Sequence, residues 1–84
     1  MALEALKDAE RVIGVKQVIK AVKRGAAVSV FIADDADEGV LRPLSELCRD
    51  MEVPVVHAES MQALGKACAI EVGAAAAAVL KKAV

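Results

Sequence analysis

Residues 14–33 read Gly-Val-Lys-Gln-Val-Ile-Lys-Ala-Val-Lys-Arg-Gly-Ala-Ala-Val-Ser-Val-Phe-Ile-Ala, and within this stretch the hydrophobic pattern changes period. At about 100° per residue, Val15, Val18, Ile19 and Val22 gather on one face of a helix, while Lys16, Gln17, Lys20, Lys23 and Arg24 fall within roughly 120° of arc on another. Gly14 is an acceptable N-cap and Gly25 supplies the positive φ that ends such helices, so the spacing predicts a helix over 15–24. Val28-Ser29-Val30-Phe31-Ile32-Ala33 is then a nearly continuous β-branched and apolar run, as expected of a central strand covered on both faces. A helix that feeds such a strand points to a layered α/β domain.

The flanking sequence repeats the alternation. Leu3 and Leu6 mark a short first helix, and Val12-Ile13 is long enough only for a stub of strand. After Asp34-Asp35-Ala36-Asp37, a helix is predicted with Val40, Leu41, Leu44, Leu47, Cys48 and Met51 on one face and Pro43 in an early turn. Val53 to Ala58 is the next strand, with Pro54 at an end or edge. Ser60 caps a further helix whose apolar positions are Met61, Leu64, Ala67 and Cys68; Met51 and Met61 are core by period. Ala74 to Leu80 has the best helix propensity in the chain, yet a third apolar strand would complete the sheet, and we read it as strand. The expected architecture is a three-layer α/β/α sandwich on a small mixed sheet, with residues 1–84 as one domain.

Hydrophobic residues make up 57% of the 84 and charged ones 27%. No apolar run approaches the ~18 to 20 residues that span a bilayer, and the start of the chain lacks a signal-peptide core, so no membrane partner is expected and a cytoplasmic location is. Net charge is −1, which argues against a bulk-basic nucleic-acid binder, but the average hides a segregation. Residues 11–24 carry Arg11, Lys16, Lys20, Lys23 and Arg24 with no acid, whereas residues 25–80 hold nine acids (Asp34, Asp35, Asp37, Glu38, Glu46, Asp50, Glu52, Glu59, Glu71) against Arg42, Arg49 and Lys66.

Within the helix, Lys16, Lys20 and Arg24 stand four apart, where like charges repel by about 0.2 to 0.5 kcal/mol per pair. Lys16 also sits near the positive end of the helix dipole. Nothing inside the helix offsets that cost; an external polyanion would, although a merely solvated cationic face is the plain alternative. Modules that read single-stranded nucleic acid stack bases on aromatic rings, and the one aromatic residue here, Phe31, belongs to a buried strand. What remains is a reader of folded RNA that uses phosphate contacts, hydrogen bonds to base edges and apolar packing against a displaced base.

Asp34, Asp35 and Asp37 at the exit of a strand permit a second hypothesis, a small Mg²⁺-dependent phosphate-handling enzyme. The simpler reading makes Asp37 a helix cap and the others solvated, and no phosphate-cradling glycine loop or nucleophile and base pair accompanies them. No catalysis, cofactor or metal is therefore expected. His57 reads as a core or rim histidine, which could approach Cys48 or Cys68, and the two thiols read as small buried hydrophobes.

Gly14-Val15-Lys16-Gln17-Val18-Ile19-Lys20, the Lys23-Arg24-Gly25 turn, Ala33 to Asp37, and Leu64-Gly65-Lys66-Ala67-Cys68-Ala69-Ile70-Glu71-Val72-Gly73-Ala74-Ala75 follow one another in an order that resembles the kink-turn-binding ribosomal protein family of the archaeal L-seven-Ae type. Within it the chain is most similar to the small bacterial YbxF-like branch. The resemblance implies an α/β/α sandwich that grips the bend of a helix–internal loop–helix RNA, with Gly14, Lys16, Gln17 and Lys20 against tandem sheared G·A pairs. It also implies that Ile70, Glu71 and Val72 shield nucleotides looped out at the bend, while Lys23 and Arg24 extend the cationic face. A ribosome-associated or ribonucleoprotein role and a monomeric state are expected. The chain departs from the family where Lys16-Gln17 replaces the Asn-Glu of archaeal and eukaryotic members. Val15 and Val18 stand where bacterial members typically carry threonine, and Ala69 where they carry glycine, so the first alternative is a domain of the same fold with a different RNA or protein partner.

Overall fold

The computed structural model describes residues 10–70 and 72–81. The expected first helix at Leu3 and Leu6, and Glu71 of the apolar loop, lie outside the described residues. The order of elements is β1 (Arg11–Ile13), α1 (Val15–Lys23), β2 (Ala27–Ala33), α2 (Glu38–Asp50), β3 (Val55–Ala58), α3 (Met61–Ala67) and β4 (Ala76–Leu80). The sheet order is β1-β4-β2-β3, with β2 and β3 parallel and the other two pairings antiparallel. The mixed sheet and its two helical layers are those expected from the sequence, and the last strand enters between the first two rather than at an edge.

Side-chain alternation along the strands builds one core on each face of the sheet. Val30 and Ile32 of β2 and Ala76 and Ala78 of β4 meet Val18, Ala21 and Val22 of α1 and Leu41, Leu44 and Cys48 of α2. Phe31, Ala33 and Ala77 meet Leu64, Ala67 and Cys68 on the side of α3. Ala76, Ala77 and Ala78 are wholly buried. Alanine's helix propensity is overridden here because its small side chain lets helices lie close on both faces of a central strand.

Several expectations need correction. Val40, Met51 and Met61 are 52%, 45% and 38% exposed rather than core. The buried stripe of α2 is Leu41, Leu44 and Cys48; Val40 falls on its flank, and Met51 is the C-cap, where the chain has already left the helix. Met61 is the first residue of α3 and stands at the rim beside Gly73. Val28, expected under cover, is 48% exposed, because pairing shifts between Ala27 and Ser29 and leaves Val28 as the extra residue of a bulge. Pro43, expected in an early turn, lies in the second turn of α2 on its exposed side, where water can take the carbonyl that Pro43 cannot serve.

The three helices among the described residues end alike. Gly25, Glu52 and Ala69 each follow a C-cap with φ of 73°, 58° and 61°. The next residues, Ala26, Val53 and Ile70, donate N–H to the carbonyls of Ala21, Cys48 and Gly65 at 2.9, 2.8 and 3.1 Å. These are Schellman turns, and only the first carries the expected glycine.

Candidate nucleic-acid interface

The candidate interface begins at Gly14, whose φ of 100° a side chain would strain although a Cβ would meet nothing within 4 Å. Its N–H donates to the Ala76 carbonyl at 2.9 Å, which fixes the start of α1 to the start of β4. No side chain caps α1 and no acid occupies its first turn, so the first backbone N–H groups, beyond reach of any carbonyl within the helix, keep the field favourable to an anion. Lys16, Gln17, Lys20, Lys23 and Arg24 are all exposed on the face opposite the buried Val18 and Val22. Among the described residues, no side-chain hydrogen bond or ion pair engages any of the five. Among the described residues, then, no carboxylate neutralises the cationic face. Val18 is 0% exposed, so the residue type at that position acts through the core, while half-buried Val15 borders the surface.

Of the second expected element, Ile70 leaves α3 through the Ala69 turn, and Val72 and Gly73 lie back along that helix. A Cβ on Gly65 would overlap the Val72 carbonyl oxygen, so that glycine is needed for the close backbone passage, while one on Gly73 would come within a tight 3.1 Å of the Met61 Cβ. Ala74 N–H then donates to the Met61 carbonyl at 3.0 Å. Val72 is 71% exposed, the highest value among the large hydrophobic residues described. Ile70 is half-buried, packs against the core around Phe31, and lines a groove of about 500 Å³ with Glu10, Arg11, Ile13, Cys68, Ala69 and Leu80. Ile13 belongs to that groove and immediately precedes Gly14, so the short strand β1 joins the two expected elements. Sequence reasoning did not single out Arg11 of that strand, whose Nη2 donates to the Cys68 carbonyl at 2.7 Å.

The aspartate cluster is occupied structurally. Asp37 Oδ1 accepts from the Gly39 N–H at 2.8 Å as the expected cap. Asp35, expected to be simply solvated, accepts from the Met61 N–H at 2.7 Å, and Asp34 Oδ1 lies 2.7 Å from His57 Nδ1. His57 is therefore a rim residue paired with an aspartate, far more exposed than a core residue, and not a partner of the thiols. Among the described residues no three His, Cys, Asp or Glu side chains are grouped to hold a metal. Cys48 and Cys68 are buried free thiols. Burial pushes both upward from the ordinary thiol value, in Cys68 against the opposing charge and hydrogen bond of Arg11. No helix among the described residues is long and apolar enough to cross a membrane.

Residues 2–83 match the model of the ribosomal protein L7Ae/L30e/S12e/Gadd45 family. The chain belongs to this family. An RNA-binding protein YbxF from Geobacillus stearothermophilus is 44% identical over 78 residues, which cover 93% of this chain and 95% of that protein. An RNA-binding protein of another Geobacillus strain is 41% identical over the same shares. Among solved structures, a 15.5kD RNA binding protein of Giardia lamblia superposes with a TM-score of 0.88 at 34% identity, covering 96% of this chain and 72% of that one. The family match thus spans nearly the whole chain, and the described residues have the L7Ae-type architecture, with the alanine-rich β4 inside the sheet.

Proposed function

We propose that this protein binds kink-turn RNA and stabilises the bent form, acting by binding and not by catalysis. The observation that carries the reading is the exposed row Lys16, Gln17, Lys20, Lys23 and Arg24, without a carboxylate partner among the described residues and starting at a glycine N-cap with no side-chain cap, in a chain of net charge −1. Membership of a family that includes curated RNA-binding relatives supports it. Gly14, Lys16, Gln17 and Lys20 approach the tandem sheared G·A pairs, Lys23 and Arg24 take flanking phosphate, and Ile70, Glu71 and Val72 cover nucleotides displaced at the bend. The RNA moves toward the kinked state because the protein binds that state better, by the ratio of the two affinities. Residues 1–84 act as one RNA-binding unit, as a monomer in the cytoplasm, associated with the ribosome or another ribonucleoprotein.

With about three to five phosphates neutralised, log K should fall with log salt at a slope of about −2 to −4. The direct test is a gel shift with a kink-turn RNA beside the same RNA with its G·A pairs replaced by Watson–Crick pairs. Preference for the first is expected, and equal affinity for both refutes kink recognition. A melting temperature unmoved by millimolar Mg²⁺ is expected as well, since the three aspartates already hold protein donors.

A further inference from the structure

We propose that Arg11 is a positioning residue that couples the two halves of the RNA interface through β1. The proposal rests on the kink-turn reading above and adds to it a residue that contacts no RNA. Cys68 is the C-cap of α3, where the last carbonyls have no partner within the helix. Arg11, 57 positions away in sequence, fills that role with a partly buried, charge-assisted hydrogen bond of 2.7 Å.

The peptide it grips is the one from which the apolar segment departs. Ala69 turns the chain with φ of 61°, and Ile70 N–H closes on the Gly65 carbonyl at 3.1 Å. At its other end the segment is pinned by Ala74 N–H on the Met61 carbonyl. Between these anchors stands Val72, 71% exposed. The far end of the three-residue strand β1 runs directly into Gly14, whose N–H is tied to Ala76. One short strand therefore ends in the helix start that meets the G·A pairs and, through its first side chain, holds the root of the segment that meets the displaced base. The guanidinium is a rigid fork on a helix terminus, so it sets a spacing between the two that a slack contact would not.

The test pairs Arg11→Met with two RNAs, an intact kink-turn and the same RNA made abasic at its looped-out nucleotide. On the intact RNA the variant should bind on the order of tenfold more weakly, the worth of a charge-assisted hydrogen bond. On the abasic RNA the loss should stay within about twofold, because the contact that Arg11 positions is already gone. The salt slope should not change. Equal losses on both RNAs, unchanged affinity, or a slope reduced by about one, which would make Arg11 a phosphate contact, overturns the proposal. Arg11→Lys keeps a charged donor and should give an intermediate loss with the same dependence on the base, and it carries the test if the methionine variant does not fold. Hydrogen exchange at the Ile70 N–H of the free protein reads the positioning without RNA: acceleration in the variants is expected, and an unchanged rate overturns the role. Failure of the parent reading is separately visible as wild-type binding that ignores the G·A pairs.

Discussion

Replacing Ala69 with glycine is expected to stabilise the protein by about 0.5 to 1 kcal/mol. At φ of 61° alanine occupies the left-handed region, where the clash of Cβ with the following carbonyl costs an L residue about 1 to 2 kcal/mol. Glycine removes that clash but brings back about 0.5 to 1 kcal/mol of unfolded-state freedom, which leaves the smaller net gain. Ala69 is exposed, so its methyl group contributes little buried area. For a domain of this size the gain corresponds to a rise of roughly 2 to 8 °C in Tm. Thermal and urea unfolding followed by circular dichroism should both shift upward, with the urea slope unchanged. Glu52→Gly, at φ of 58° on a different helix end, should behave the same way, and the two should add. Gly25→Ala is the mirror experiment: a Cβ there meets nothing within 4 Å, so its expected loss of about 1 kcal/mol is a backbone effect alone. If Ala69→Gly lowers stability while Gly25→Ala costs nothing, the account of these helix ends is wrong.

Gly65→Ala places a Cβ against the Val72 carbonyl, so it should cost about 1 to 3 kcal/mol in urea unfolding and displace the apolar segment, weakening RNA binding as well. Lys20→Ala and Lys23→Ala should weaken RNA binding broadly and flatten its salt dependence, whereas Gln17→Ala should chiefly erode the preference for kinked over Watson–Crick RNA in gel shifts. The buried thiols make an alkaline prediction. Their folded values lie above the ordinary 9.0, so the unfolded chain loses its protons first, and the thiols' contribution to stability should be full below about pH 9 and fall as pH rises further. Urea midpoints at pH 7.5, 9 and 10 check this, and a Cys48→Ala variant should show a shallower decline.

Much of the candidate interface was legible along a single helix. The periods of valine and lysine between Gly14 and Gly25 separate a core face from a cationic face without knowledge of any neighbour, because both sets of residues are carried by one rigid element. The roles of Asp34 and Asp35 were not legible. Asp35 accepts from the first N–H of the helix that starts at Met61 and Asp34 meets His57 on the adjacent strand, partners that only the pairing of β2 with β3 brings within reach. Arg11 was counted among the cations of residues 11–24, but its bond escaped notice for the same reason, since the acceptor lies 57 residues away and is a backbone carbonyl that leaves no mark in the sequence.

By itself the sequence determined the alternation of helices and strands, the caps Asp37 and Ser60, the glycine stop at Gly25, and the face that α1 turns to solvent. These follow from local periodicity and from bonds spanning a few residues. Tertiary structure decided that the alanine run becomes the central strand, that Met51, Met61 and Val40 stay at the surface, and that Glu52 and Ala69 adopt a conformation their side chains disfavour. In each case the outcome depends on what lies across the sheet or beyond the helix end, and the free energy of packing those distant neighbours exceeds the local preference that opposes it.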